Sequence, residues 1–147
     1  MLAAIVGFAI QDAINGPLVR YWRTGPGWVH HVVLGPIAAV AQTLGKCFAL
    51  GSLFDMRPQA TPSARLRLGL LVGPGFAVYE ISLIYFNMAS LQTAVVGYGG
   101  LCERASASGF HIYSGGLLAL ALSRGHYWPL VLVVTLHAWN DFLAGAG

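Results

Sequence analysis

Ionisable side chains lie inside or next to strongly apolar segments of this sequence, and three of its five acidic residues are among them. A charged side chain at the centre of a membrane costs roughly 2.5–3.5 kcal/mol on insertion scales, so such residues usually have a function or a partner. If the segments are membrane helices that converge, these groups form one polar site. The candidate site residues are Glu80, Glu103, Arg104, His111, His137 and Asp141.

The spacing of these residues places several of them on common helix faces. His137 and Asp141 are four residues apart, so one helix presents both on the same side, about one turn from each other. Arg104 and His111 are seven residues apart, which again gives one face, two turns apart. Each group also has a plain structural interpretation: an internal His–Asp hydrogen bond, an interfacial ion pair of Arg104 with Glu103, or a protonated carboxyl bonded to a carbonyl.

Two hydrolytic chemistries fit this set of side chains. In one, a divalent metal such as zinc is bound by His111, His137 and one carboxylate, while a second carboxylate acts on the metal-bound water. In the other, which uses no metal, Glu80 or Asp141 activates water as general base while His and Asn side chains stabilise the oxyanion. Both would cut a peptide bond that reaches the membrane interior, and the spacing does not choose between them.

The composition indicates an integral membrane protein. Of the 147 residues, 56% are hydrophobic and 9% are charged, and the mean hydropathy is +0.67. A soluble domain carries roughly 25% charged residues, so lipid must be the main solvent and the bilayer the main partner. The net charge of +3 is small and the arginines are dispersed, which argues against nucleic-acid binding. Cys47 and Cys102 have no metal-binding spacing.

The apolar segments predict an all-α fold, a polytopic transmembrane bundle of about five helices in a single domain over residues 1–147. Each segment approaches the ~20 residues that a helix needs to cross the hydrocarbon. The connections that end the second and fourth segments carry four arginines, and the opposite side carries Arg20 and Arg23. This bias predicts a cytoplasmic N-terminus. The predicted segments are 2–19, 28–54, 66–87, 104–123 and 127–143.

Three motifs in the chain resemble those of the PrsW and YhfC families of intramembrane endopeptidases, relatives of the CPBP proteases that process prenylated CAAX proteins. FAVYE (76–80) matches their FxxxE motif and HAWND (137–141) their HxxxD motif. Glu103, Arg104, Phe110 and His111, followed by a basic turn, are similar to the YhfC pattern, as is the stretch 7–18. The resemblance implies a glutamic or metallo-type endopeptidase with a membrane-protein substrate, located in a bacterial inner membrane.

The chain departs from those families at the paired-acid motif, EExxxR or EExxxK. The stretch AQTLGK (41–46) keeps the basic residue as Lys46, but Ala41 and Gln42 replace both glutamates. The paired acid is the group that would activate water in the proteases. This departure favours a second hypothesis, a non-catalytic relative that serves as a structural or assembly subunit of a membrane complex.

A third hypothesis is a haem- or chlorin-binding membrane protein. His30, His31, His111 and His137 lie in or near predicted helices, and a histidine is a common axial ligand of such pigments. The sequence contains no CxxCH, so covalent attachment of a c-type haem is excluded.

Overall fold

The computed structural model describes residues 35–87 and 98–146, together with Ala9, Ala13, Val32 and Val33. Within that part, the side chains of 83–87, 98–101, 103 and 144–146 lie outside the described set. The described residues form four helices and contain no strand, which confirms the all-α prediction for this part of the chain. The helices are α1 Gly35–Met56, α2 Pro62–Asn87, α3 Tyr98–Arg124 and α4 Trp128–Ala146.

Two short connections turn the chain back on itself, and local sequence explains both. Thr61 caps α2, because its Oγ1 accepts a hydrogen bond from the amide of Ala64 at 3.3 Å, and Pro62 supplies the fixed φ suited to the first helical position. Gly125, with φ of 66°, ends α3, and the amide of His126 bonds back to the carbonyl of Ala121 at 3.0 Å. This is the Schellman arrangement that a left-handed glycine permits.

Helices α2 and α3 run antiparallel and approach each other very closely through glycines. Gly69 lies against Gly115, and Gly73 lies against the backbone of His111 and Ile112, so that a methyl group added at any of the three glycines would overlap backbone atoms of the other helix. Glycines four residues apart on one helix are a common way for membrane helices to pack backbone to backbone. This contact fixes the register in which α2 and α3 present their polar side chains to each other.

Helix α1 packs against α4 and lies across the middle of α3. An apolar core fills one half of the bundle, near the turns that join α1 to α2 and α3 to α4, and the buried polar residues lie in the other half. The apolar core is formed by Leu50, Phe54, Leu118, Ala119 and Val133.

Two stretches of the described residues are long and apolar enough to cross a membrane: α1 and residues Arg104–Arg124 of α3. Only 56% and 44% of these stretches are buried against the rest of the protein, so large parts of them face outward. The core helix of a soluble protein passes the same test of length and composition, so two such stretches by themselves are weak evidence for a membrane protein.

The predicted count of five membrane helices is not confirmed. Four predicted segments correspond to α1–α4, although α3 begins at Tyr98 instead of residue 104. Residues 28–34 of the second predicted segment lie outside the described residues apart from Val32 and Val33. The first predicted segment, 2–19, lies outside the described residues apart from Ala9 and Ala13. Helix α2 carries Arg65, Arg67 and Glu80, and these side chains lower its hydropathy. The fully described part of α4, residues 128–143, is shorter than the 18 residues that the test of membrane-spanning length requires.

Candidate functional site

A carboxylate and an imidazole from neighbouring helices form a short polar contact between α2 and α3. Glu80 Oε2 lies 2.9 Å from His111 Nε2, and the His111 side chain is buried. In the antiparallel register set by the glycine crossing, Gly73 lies opposite His111, and the Glu80 side chain reaches the imidazole from two turns further along α2. Phe76, one turn before Glu80, is also buried, and its ring stacks on the His111 ring with a centroid distance of 6.1 Å.

A second imidazole approaches the first from α4. The rings of His111 and His137 are nearly perpendicular, with centroids 5.5 Å apart, and the Phe110 ring lies 5.1 Å from that of His137. His137 Nε2 is 3.8 Å from Asp141 Oδ1 on the same helix, a distance that allows attraction but exceeds a hydrogen bond. Side chains of α2, α3 and α4 therefore converge, as the spacing of the motifs predicted.

The basic residue predicted for this cluster also lies within it. Arg104 Nη1 is 3.8 Å from Glu80 Oε2, one to two turns from His111 along α3. Glu80 thus faces both a guanidinium and an imidazole. The side chain of Glu103 lies outside the described set, so its pairing with Arg104 stays a prediction.

The cluster also contains Lys46, a residue that was not among the predicted site residues. Its side chain is fully buried, its Nζ donates a hydrogen bond to Ser114 Oγ at 2.7 Å, and it lies 5.4 Å from the centre of the Phe76 ring and 5.6 Å from that of Phe110. Lys46 therefore lies in the interior of the bundle and does not reach its surface. A signal was present in the sequence, because Lys46 is the single lysine of the chain and lies in an apolar stretch.

Two imidazole nitrogens in the cluster have no hydrogen-bond partner among the described residues: Nδ1 of His111 and Nδ1 of His137. The Glu80 carboxylate accepts a hydrogen bond, so His111 donates from Nε2, and in the neutral ring Nδ1 then carries the lone pair. A buried lone pair without a partner is unusual, because it costs free energy unless water or a ligand meets it. Such a nitrogen is suited to accept a proton from a bound water molecule.

The described side chains do not fit the zinc alternative. They contain no group of three or more His, Cys, Asp or Glu side chains placed to hold a metal ion. A catalytic zinc site needs three protein ligands, and His111 already commits Nε2 to Glu80. The assignment of His111 and His137 as metal ligands thus stays a prediction that this geometry does not support.

Aromatic rings pack against both histidines of the pigment hypothesis that the structure describes. The Phe76 and Phe110 rings, together with the imidazoles themselves, fill the surroundings of His111 and His137 at centroid distances of 5.1–6.3 Å. A haem or chlorin ring would have to displace these side chains. His30 and His31, the other two residues of that hypothesis, lie outside the described residues.

One cavity in the described part of the protein lies away from this cluster. It is an apolar groove of about 580 Å³ between the beginning of α1 and the outer face of α4. No candidate site residue lines it. We therefore place the candidate site at the buried polar cluster, where the titratable groups meet, and not at the groove. The groove is lined by Val32, Pro36, Val134, Thr135, Leu136, Ala138, Trp139 and Phe142.

Comparison with known proteins adds no family assignment to this geometry. No family model matches the chain, and no curated protein or solved structure matches it either.

Proposed function

We propose that this chain is an integral membrane protein that hydrolyses a peptide bond in or near the bilayer, with Glu80 and His111 as its central pair. The observation that carries the proposal is the 2.9 Å contact between Glu80 Oε2 and His111 Nε2, together with the buried His111 Nδ1 that has no partner among the described residues. A carboxylate that orients an imidazole in this way is the basis of many hydrolytic sites.

Exposed apolar side chains on all four helices support the membrane location. Phe48 on α1, Val78 on α2, Tyr113 on α3 and Val131 on α4 all point away from the protein interior and are largely exposed. Soluble monomers rarely expose large contiguous apolar patches. Lipid around the bundle would cover these side chains, in agreement with the low charge content of the sequence.

The proposed reaction begins with a water molecule at His111 Nδ1. His111 takes a proton from the water while the oxygen attacks the peptide carbonyl, and the same proton is then given to the leaving amine. Glu80 holds the tautomer of His111 and stabilises the imidazolium that forms, with Arg104 beside it. The His137 ring on α4 is perpendicular to that of His111 at 5.5 Å, and we assign it to bind the substrate or the water.

A non-catalytic membrane subunit is the second candidate, and one structural observation favours it. Ala41 and Gln42, at the positions of the missing paired acids, are both buried. Ala41, Gln42 and Lys46 all lie on the buried face of α1. The positions that correspond to the paired-acid motif thus face the interior but carry no carboxylate. A relative that has lost catalysis would keep this packing and present its apolar outer faces to partner helices.

Cleavage of quenched fluorescent transmembrane peptides by the purified chain in liposomes separates the two candidates. We expect cleavage by the unchanged chain, loss of at least 100-fold in Glu80→Gln and in His111→Asn, and unchanged cleavage in Asp55→Asn, which alters an exposed acid at the far end of the bundle. Thermal unfolding in detergent checks that each variant is folded. An unchanged chain that cleaves none of a diverse peptide set, or folded variants that cleave normally, would overturn the peptidase proposal.

A further inference from the structure

The polar cluster lies toward one end of the helix bundle. Because α2 and α3 are antiparallel, the last turns of α2 lie beside the first turns of α3, and Glu80 meets Arg104 there. The tight turn at Gly125 sends α4 back in the direction of α2, which brings Asp141 to the same end. We call the end where α2 and α4 finish and α3 begins the open end, and the end with the two short connections the arginine end.

Exposure of the polar side chains increases toward the open end. The side chains of Glu80, Arg104 and Asp141 are 20%, 19% and 29% exposed, whereas those of His111 and His137 are 1% and 3% exposed. Glu80 lies seven residues before the end of α2, which corresponds to a depth of about 10 Å at 1.5 Å per residue. Water that enters at the open end therefore meets the carboxylates and the guanidinium first and the imidazoles behind them.

The arginine end carries the positive charge of the connections. Arg57, Arg67 and Arg124 are exposed at that end, and Arg65 lies over the Phe54 ring at 4.8 Å. The sequence between α2 and α3, residues 88–97, contains no lysine or arginine, and the sequence before α1 contains two arginines, Arg20 and Arg23, against four at the arginine end. Arg104, at the open end, is paired with Glu80. Short connections rich in arginine remain in the cytoplasm, so this asymmetry orients the open end away from it.

We infer that the site is reached from the open end, on the side of the membrane away from the cytoplasm, and that its substrate is a polypeptide segment presented at the outer face of the bilayer. The inference depends on the proposed function for the identity of the substrate, but the sidedness of access depends on the geometry and charge described above. The FxxxE and HxxxD motifs alone do not specify the side of the membrane from which the substrate approaches. A substrate that approaches from the cytoplasm would have to pass the apolar core formed by Leu50, Phe54, Leu118, Ala119 and Val133.

Thiol labelling with a membrane-impermeant maleimide tests this direction without requiring activity. Cys102 is exposed near the beginning of α3, at the open end, and is a native reporter that needs no substitution there. In a Cys47→Ser background we expect complete labelling of Cys102 in intact cells. In a chain with both cysteines replaced by serine, we expect Arg57→Cys to be labelled in inverted vesicles but not in intact cells.

A second reporter tests the site itself. In the cysteine-free background, Asp141→Cys should be labelled in intact cells, more slowly than Cys102 because it lies deeper, and the impermeant reagent should not reach it in inverted vesicles. Labelling of Cys102 or of Asp141→Cys only from the cytoplasmic side would overturn the inference, and so would an Asp141→Cys chain that folds but reacts from neither side. These outcomes do not depend on cleavage, so failure of the peptidase proposal is recognised separately in the liposome assay.

Discussion

Lys46 Nζ and Ser114 Oγ are 2.7 Å apart in the centre of the bundle and join α1 to α3. Ser114 Oγ in turn donates to the carbonyl of His111, one turn earlier, at 3.1 Å. The lysine is thus connected through one hydroxyl to the helical turn that carries the candidate base. A buried amine with this partner ties the position of α1 to the geometry of the site.

Removal of the hydroxyl partner should cost more stability than removal of the amine. Ser114→Ala leaves the Lys46 Nζ buried without its hydrogen-bond acceptor, and an unsatisfied buried group costs about 1–3 kcal/mol, more when it is charged. Lys46→Met keeps the apolar stem between the Phe76 and Phe110 rings and removes the polar group altogether, so it should be nearly neutral. The free energy of unfolding, measured by denaturant titration in detergent micelles, gives both values.

Ser52→Ala is the matched control for the serine substitution. Ser52 is also a helical serine bonded to a backbone carbonyl, that of Phe48 at 2.9 Å, but it is exposed. We expect a change within about 0.5 kcal/mol there. Combining Lys46→Met with Ser114→Ala should restore most of the stability lost in Ser114→Ala. If Lys46→Met destabilises the chain more than Ser114→Ala does, the amine has partners that matter more than Ser114.

The glycine crossing between α2 and α3 should tolerate no added methyl group. In Gly69→Ala the new Cβ overlaps the carbonyl oxygen of Gly115, so the helices must separate, and overpacking of this kind costs about 1–3 kcal/mol. A methyl group added at Gly51 or Gly109 would meet no atom within 4 Å, and alanine there should stabilise the helix by about 0.4–1 kcal/mol. Thermal unfolding of the three variants in the same detergent compares them. Equal stability of Gly69→Ala and Gly51→Ala would show that the two helices do not cross as closely as described.

The residues that converge at the site were predictable because ionisable side chains inside apolar segments usually have a partner or a function. Glu80, His111 and His137 were predicted from their types and from helical spacing alone, and the structure brings them together across three helices. The predicted segments 66–87 and 127–143 overlap α2 and α4, but α2 begins four residues earlier, at Pro62, and α4 ends three residues later, at Ala146.

The pairing of individual atoms was not predictable from the sequence. Glu80 was open to several partners, and only the register between α2 and α3 selects His111. That register depends on Gly69, Gly73 and Gly115, because the absence of a side chain at these positions lets the two backbones touch. The spacing of Gly69 and Gly73 was a usable sign of close packing, but not of the partner helix. Lys46 was missed as a site member for the same reason, since its bond to Ser114 spans 68 positions of the chain.

Glu80 should be coupled more strongly to His111 than to Arg104. The hydrogen bond to the buried His111 is 2.9 Å long, whereas the closest distance between the Arg104 and Glu80 side chains is 3.8 Å and both are partly exposed. Double-mutant cycles with Glu80→Gln, His111→Asn and Arg104→Gln measure both couplings. For the pair Glu80 and His111 we expect a large coupling free energy. It should lie in the upper part of the range of about 0.5–3 kcal/mol that is found for residues in contact.

The coupling between Glu80 and Arg104 should be smaller, in the range of about 0.2–1 kcal/mol that is typical of solvent-exposed ion pairs. A mild increase in salt should weaken this second coupling and leave the first nearly unchanged, because buried pairs are screened less. The reverse order of the two couplings would indicate that Arg104, and not His111, is the principal partner of Glu80, and the tautomer assigned to His111 would lose its basis.

Zinc should not stabilise the folded chain, since the described side chains offer no group of three ligands and His111 Nε2 is bonded to Glu80. A ligand at 100 times its dissociation constant raises the free energy of unfolding by about 2.7 kcal/mol, so specific binding would be conspicuous in thermal unfolding. We expect the same unfolding temperature with zinc and with EDTA, and no difference between the unchanged chain and His137→Asn in their response to the metal. A rise with zinc that disappears in both His111→Asn and His137→Asn would restore the metal-dependent chemistry, because it would show that both imidazoles leave their present partners to bind the ion. A rise that persists in both variants would instead place the metal elsewhere in the chain and leave the carboxylate–imidazole pair as the proposed centre.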